Sequence, residues 1–560
     1  MLSLLLIHII ITFICLWAGF LFYNSLVKAT EEKHICFYAI TGLIILTLIS
    51  QIAVLFIPLN IYCQFSVLLL FVISIISNWQ KFVKFISYVI NEITALSLLS
   101  KGLLAGMWLI ILLINSGPTM MDDTESYHIQ SIKWIQEFGT VPGLVNLHER
   151  FGFNSSWFSS IALFSFSSKT TGGFTVLNGI LSMWLCIWLI SKYNQFQKEN
   201  NVQAAFAILI IFIGALVIWP LIRGNAATAN YDFIATAVVS ILFIEIFFSP
   251  GDRISPSIEW IIWPVYLFTV RVINFPLLLL SLIALIFFIN QKKLKAMILP
   301  FAYCLLLIIS FVIRNFIIAG YLFYPATYFD WFNADWKPDP QMTEKLLEYI
   351  KYYNRVNTTY LDIEQTKALG SSWIPVWFQH LFLFDKILVV LGLAGILFTI
   401  TKSFSSKNNY RNKAGVLISI SIVSLICWLL ISPDPRFIYG ILLFGIFLFA
   451  YNLISLIRSP GPITILSYIL ILLLIAGTPF YLISKLWRQK EYRNWIVPAQ
   501  FPQPPVKEVV IDGITFRIPE AINNNWNARC YCTDLPCLYK IDPKLKTRGK
   551  NISSGFRLKK

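Results

Sequence analysis

Charge is scarce in this sequence. Of 560 residues only 13% are Asp, Glu, Lys or Arg, against roughly 25% in an ordinary soluble domain. A soluble enzyme of this length needs polar residues to coat several domains, and their shortage excludes that class. No internal repeat is evident. The first apolar run, residues 1–23, has neither a basic leader nor a small-residue cleavage site, so it is expected to be a retained helix and not a signal peptide.

What the chain does have is 57% hydrophobic and 16% aromatic residues, gathered into runs long enough to cross a bilayer. The net charge of +16 does not point to nucleic acid, because the Lys and Arg residues lie in short loops between apolar runs, as cytoplasmic anchors do. Membrane lipid is the expected surrounding. Six cysteines (Cys15, Cys36, Cys63, Cys186, Cys304 and Cys427) sit in or beside apolar runs and read as small buried hydrophobes. Cys530, Cys532 and Cys537 cluster in a polar tail, a spacing that permits one disulfide and leaves one thiol over.

Segments able to span run approximately over 3–24, 36–58, 62–78, 102–116, 174–191, 203–221, 232–248, 258–270, 272–290, 298–317, 381–401, 414–432, 437–456 and 462–484. Placing Lys28 and Lys33, Lys81 and Lys84, Lys192 and Lys198, Lys292, Lys293 and Lys295, and Lys402, Lys407, Arg411 and Lys413 inside satisfies the positive-inside rule at five successive loops. Both ends of the chain then lie outside. Lys485, Arg488, Lys490 and Arg493 oppose this assignment, although long terminal domains translocate largely regardless of charge. The expected organisation is a membrane domain over 1–484, with outer loops 117–172 and 319–380, followed by a small extracytoplasmic domain over 485–560. In that tail Pro498, Pro502, Pro504 and Pro505 form a stiff spacer, and two β-rich runs flank the turn signal Asp512-Gly513, predicting a hairpin that a Cys530–Cys537 bridge would close. The segment 319–380 is too long for a connector and too aromatic for a linker, so it is expected to be a lid or binding wall.

The densest polar constellation is Asp122, Asp123, Thr124, Glu125, Ser126, Tyr127 and His128, placed between an apolar run and a helical pattern. One carboxylate suffices to cap a helix; this junction offers several acids and a histidine. Two adjacent acids could divide general-base work, one accepting a hydroxyl proton and the other orienting the acceptor. They could also hold a divalent cation, Mg or Mn, through oxygen ligands. The spacing matches no metal motif, so base catalysis is the preferred reading and no metal ligand is assigned. Downstream, His148, Asn154 and Trp157 mark a polar-to-aromatic junction where Asn154 or Ser155 would cap a helix.

Arg223, Arg271, Arg314 and Arg436 stand at outer helix ends in apolar sequence. Such arginines are costly and usually partnered, though they can also snorkel to headgroups. Four of them facing one side would suit an anionic lipid, since a guanidinium binds phosphate oxygens bidentately. Arg314-Asn315 leads into a Gly and Pro turn containing Tyr324, and the prolines beside Asp434 stiffen the turn before Arg436, while Asp434 itself could serve only as a turn residue.

Taken in chain order, these residues resemble the GT-C superfamily of membrane glycosyltransferases. A closer similarity is to a family of uncharacterised bacterial multi-pass proteins often grouped with them, in which Asp-x-x-x-Tyr-His leads into Lys-Trp-Ile, Val-Pro-Gly-Leu, Asn-Leu-His and Gly-Phe-Asn-Ser-Ser. Here those are Asp123, Tyr127 and His128; Lys133, Trp134 and Ile135; Val141, Pro142, Gly143 and Leu144; Asn146, Leu147 and His148; and Gly152, Phe153, Asn154, Ser155 and Ser156. The likeness extends more weakly through Arg314-Asn315, Tyr324-Pro325, Asp434-Pro435-Arg436, Arg529-Cys530 and Leu535-Pro536-Cys537. It departs at the four spans before the acidic loop and at the extra Cys532.

The resemblance implies an all-α polytopic fold of about 13 or 14 transmembrane helices with a small β-containing C-terminal extracytoplasmic domain. It also implies an enzyme that moves a sugar from a polyprenyl-phosphate donor to a hydroxyl of an envelope glycan, lipid or protein, on the periplasmic face of a bacterial inner membrane. Asp123, whose spacing to Tyr127-His128 matches, would be the base, with Asp122 assisting. Arg436 and Arg314, with Arg223 and Arg271, would meet the phosphate. Tyr127, His128, His148, Asn154, Trp157, Tyr324 and His380 would shape the substrate pocket. The alternatives are a polysaccharide polymerase or ligase using lipid-linked oligosaccharides, a lipid or glycan transporter, which would carry repeats and mid-membrane charges, and an envelope scaffold docking through its tail.

Overall fold

The computed structural model describes residues 1–27, 32–119, 121–166, 170–249, 255–356, 362–405, 411–457, 461–520 and 529–559. Lys28 and Lys407, two of the expected inner-face cations, lie outside them. Each of the fourteen expected segments is helical. Among the described residues eleven helices are long and apolar enough to cross a membrane, or twelve if the bent pair Ile61–Ser77 and Trp79–Thr94 is one span, as an all-α polytopic fold requires. Asp232–Phe248 has 17 residues and Glu259–Val270 has 12, and the second of these is a short apolar helix that joins Val272–Asn290 through Arg271.

Trp79–Thr94 turns 100° from the helix before it. Its sequence explains why: Phe82, Phe85, Ile86 and Val89 form one stripe, of which Phe85 stacks on Trp17 and Phe20, while Lys81 and Lys84 interrupt the other side. Such a helix is amphipathic and lies along an interface more readily than across one.

The remaining helices form one bundle, drawn together where glycines remove side-chain bulk. Leu383–Ser405 and Tyr439–Ile454 meet at Gly392, Gly395 and Gly445, where a Cβ on Gly395 would collide with the Gly445 carbonyl. Close backbone approach is how helices associate in lipid, which gives apolar side chains no reason to prefer each other.

Polar contacts separate two faces. On one, Lys33 pairs with Glu259 at 3.6 Å, Lys192 with Glu245 at 3.0 Å, and Lys413 donates to the Ser249 carbonyl. These are inner-loop lysines under the positive-inside reading. On the opposite face Leu2 and Ser3 donate to the carbonyls of Trp495 and Ile496, Ala499 donates to Ser116, and Thr171 donates to Ala499. Thus the start of the first helix, the loop 117–172 and the tail share a face.

The tail contains β1 (Val506–Ile511) and β2 (Ile514–Pro519), antiparallel about Asp512-Gly513, and a second pair, β3 (Leu545–Thr547) with β4 (Phe556–Leu558). Gly513 has φ +82°, the left-handed conformation this turn demands. A Cys530–Cys537 disulfide is present and Cys532 is free. The tail has no separate core: Phe516, Leu538 and Phe556 pack with Trp134, Val141 and Tyr321 of the outer loops in one apolar cluster.

Candidate active site

The outer loop 117–172 begins by placing Asp123 at the N-cap of a five-residue π-helical turn, Thr124–His128, which runs into the helix Ile129–Glu137. Short π segments concentrate at functional sites because the wider turn re-aims side chains. Ile129, Ile132 and Ile135 anchor this helix in the main core. Gln130 and Lys133 clamp it to the tail by donating to the carbonyls of Tyr531, Cys532 and Thr533.

Asp123 lies between two arginines. Its Oδ1 accepts from Arg150 Nη1 at 3.0 Å, and its Oδ2 accepts from Arg436 Nη1 at 3.3 Å. Arg436 Nε also donates to Asp434 Oδ2 at 2.7 Å and lies 3.9 Å from Asp232 Oδ2. Asp232, in the first turn of Asp232–Phe248, pairs with Arg271, whose guanidinium lies over Phe437 and Tyr231. Three arginines and three aspartates from four parts of the chain thus form one chain of ion pairs on the face that also carries the loop 117–172. Burial by itself would raise the Asp123 carboxyl; Arg436 and Arg150 outweigh it and hold the group below its ordinary range.

Aromatic rings wall this cluster. Arg150 lies over Tyr127, and the His128 ring packs on Phe158 and Tyr231. His128 Nε2 is buried with no protein hydrogen-bond partner, and burial lowers the imidazole to about 3, keeping it neutral. His148 is lowered to about 3 by burial and by Arg150; its Nδ1 accepts from the Arg150 amide, and its ring meets Tyr539 of the tail.

The expected lid is helical and lies against the cluster. Pro340–Val356 brings Tyr349 and Tyr353, stacked on each other, close enough to Arg150 and Arg436 to feel their charge. Asn354 of the same helix donates to Ser432 at 2.6 Å, and Trp377 donates to the Pro433 carbonyl at 2.8 Å. Trp428 donates to the Asp434 carbonyl at 2.7 Å. The turn carrying Arg436 is therefore held from three sides. A small cleft lined by Thr236, Val239, Ile273, Asn274, Phe437 and Ile441 lies beside the turn that carries Arg436.

Several sequence-derived assignments change. Asp122 does not join Asp123: its side chain is 84% exposed and pairs at 2.7 Å with Arg529 of the tail, which also binds Glu125. Successive residues entering a helical turn point about 100° apart, so only one of the pair can face the arginines. Trp157 is fully buried in the main core and does not reach the cluster. His380 is exposed at the end of Trp373–His380. Arg223 is held by Asp385 at 3.0 Å and by the Tyr439 hydroxyl at 2.7 Å, among the rings of Trp219, Phe382 and Phe384. Arg314 binds Asn154 and no member of the cluster, while Tyr324 packs on Gly152 and Phe153 behind Arg150.

Three contributors were not singled out as site residues in the sequence: Arg150, Asp232 and Tyr231. Asp232 opens an apolar span, where an acid reads as a first-turn dipole partner; only its pairing with Arg271 distinguishes it. Arg150 was signalled by its position among His148, Gly152 and Asn154. Among the described residues no group of three His, Cys, Asp or Glu side chains comes together to hold a metal ion. The donor set fits an anion better than a cation, because a guanidinium stands at each of the three carboxylates.

A family profile described as a domain of unknown function, DUF8201, matches residues 1–443. The chain belongs to the DUF8201 family. The DUF8201 match takes in Asp123, Arg150, Asp232, Arg271 and Arg436, and stops before the last long helix and the tail. No curated protein and no solved structure matches the chain.

Proposed function

We propose that the protein is an integral membrane glycosyltransferase of GT-C type, taking a sugar from a polyprenyl-phosphate donor to a hydroxyl of an envelope glycan, lipid or protein on the periplasmic face of a bacterial inner membrane. The observation that carries this reading is Asp123 held between Arg150 and Arg436. A carboxylate is the base such a reaction needs, and guanidiniums are the groups that stabilise a phosphate as it leaves.

In the resting arrangement Asp123 is a poor base, because two cations hold its charge. A donor phosphate is a stronger ligand for guanidinium than one carboxylate is. Its arrival would draw Arg436 and Arg150 onto the phosphate oxygens and release Asp123 toward the acceptor. The acceptor hydroxyl then gives its proton to Asp123 and its oxygen bonds the anomeric carbon. The bond from that carbon to the phosphate oxygen breaks, and the electron pair leaves with the polyprenyl phosphate onto the arginines. Neutral His128, Tyr127 and Tyr231 would face the sugar.

The test begins in cells lacking the protein, where an unprocessed lipid-linked sugar should accumulate. That lipid is then offered to the purified protein in bilayers. Turnover by wild type and its loss in Asp123→Asn are expected; wild-type turnover by a well-folded Asp123→Asn protein would overturn the assignment.

A further inference from the structure

Arg314 is a buried cation without an anion. Its side chain belongs to the helix Leu294–Ala319 and is 4% exposed. Among the described residues its one polar contact is a guanidinium nitrogen donating to Asn154 Oδ1, and its Nε is buried with no acceptor. Among the described residues no carboxylate pairs with it, whereas Arg150, Arg223, Arg271 and Arg436 each have one. Arginine cannot discard its proton to escape the cost of burial, and an uncompensated buried charge is strongly destabilising. The favourable field at the C-terminal end of a helix offsets only a small part of that cost.

The surroundings show how the place is built. Asn154 is locked by its own amide, which donates to the Phe311 carbonyl at 3.1 Å, and the next residue, Ser155, donates to the Val270 carbonyl at 2.8 Å. The Phe268 ring packs at a tilt against Phe311 and Phe323. On the same helix Ile309 and Ile313 are exposed. The segment containing Arg150 and Asn154 therefore serves two arginines: Arg150 pairs with Asp123, and Asn154 orients a second guanidinium.

We infer that Arg314 forms a second anion subsite, separate from the Asp123 cluster, that binds one oxyanion of the phosphate class through its free Nε edge. The occupant is either the headgroup phosphate of a bilayer lipid or a soluble phosphate. The inference is independent of the transfer reaction, since its readouts are binding and stability.

The experiment uses the full-length protein, delipidated in detergent, with its unfolding temperature followed against inorganic phosphate at constant ionic strength, with chloride as the control. Arg436→Gln serves as the background, so that phosphate taken up by the Asp123 cluster does not obscure the result. A saturable rise in unfolding temperature is expected in Arg436→Gln and its loss in Arg436→Gln/Arg314→Gln. Without phosphate, Arg314→Gln should unfold no lower than wild type, because it removes an uncompensated charge. In parallel, native mass spectrometry counts phospholipid retained by wild type and by Arg314→Gln. Retention lost in the variant names the lipid headgroup as occupant; a phosphate shift without retained lipid names the soluble ion. Equal phosphate responses in the two chains together with equal lipid retention would overturn the subsite, as would marked destabilisation by Arg314→Gln in the absence of any anion.

Discussion

Arg436 and Arg314 occupy similar places in the sequence, each an arginine in apolar sequence at the outer end of a helix, yet their surroundings are opposite. Around Arg436 stand Asp123, Asp232 and Asp434; Arg314 has the side-chain oxygen Oδ1 of Asn154. The first region is electrically closed and must be opened to do chemistry. The second is open and needs an occupant. Charge scarcity in a membrane chain thus has two meanings, and which applies to a given arginine depends on contacts far away in sequence.

The comparison can be broken most severely at Asp123. Asp123→Asn should lower sugar transfer by about 10²- to 10⁴-fold, the usual contribution of a positioned base, measured with the accumulated lipid-linked donor in bilayers. Arg436→Gln comes next. On the order of 10²- to 10³-fold is expected from the loss of one charged stabiliser, with Arg314→Gln costing far less in the same assay; equal losses would erase the distinction between the two regions.

Acid should separate them more gently. His128 and His148 are held near 3 in the folded protein against an ordinary value of 6.5. Between these values the unfolded imidazoles take up protons that the folded ones refuse, so stability falls as pH falls. Asp123 is lowered below 3.8, so its contribution persists above that pH and is lost only as pH falls through its folded value. The unfolding temperature in detergent should therefore decline from about pH 6.5 to 4 before Asp123 titrates. His128→Phe should make that decline shallower. An unchanged slope would mean the ring is not buried neutral.

The smallest effect is expected at Asp122. Asp122→Asn removes an exposed partner of Arg529, which keeps Glu125, and should change stability by less than about 0.5 kcal/mol. Transfer should be unaffected. A large loss of transfer would return Asp122 to the catalytic group and remove the contrast drawn between adjacent acids.

Much of this architecture is legible in the residues themselves. Apolar runs locate the helical segments, Lys33, Lys192 and Lys413 fall on one face of the bundle, and Asp512-Gly513 locates the tail hairpin. Asp123, Arg271 and Arg436 are conspicuous because so few charges surround them. What local pattern cannot supply is partnership. Asp232 lies 39 residues from Arg271 and more than 200 from Arg436; nothing near it distinguishes a network member from a helix cap. Asp122 and Asp123 are equivalent to any composition rule, and the turn of one helix residue decides which meets the arginines. Trp157 fails as a pocket residue for the same reason, its face being set by packing.

The seam between Trp495, Ile496 and Ala499 and the ends of the helices Leu2–Leu21, Leu98–Ser116 and Thr171–Lys198 bears on how the molecule is assembled. Three helix ends synthesised early have backbone groups whose partners are translated only after the last long helix, Gly461–Arg488. Until then the outer rim of the bundle stays unlaced, and the loop bearing Asp123 lacks the tail that clamps it. Chain order therefore sets a timetable: the membrane domain can insert span by span, but the site reaches its final shape only when the tail has been made and has closed the rim.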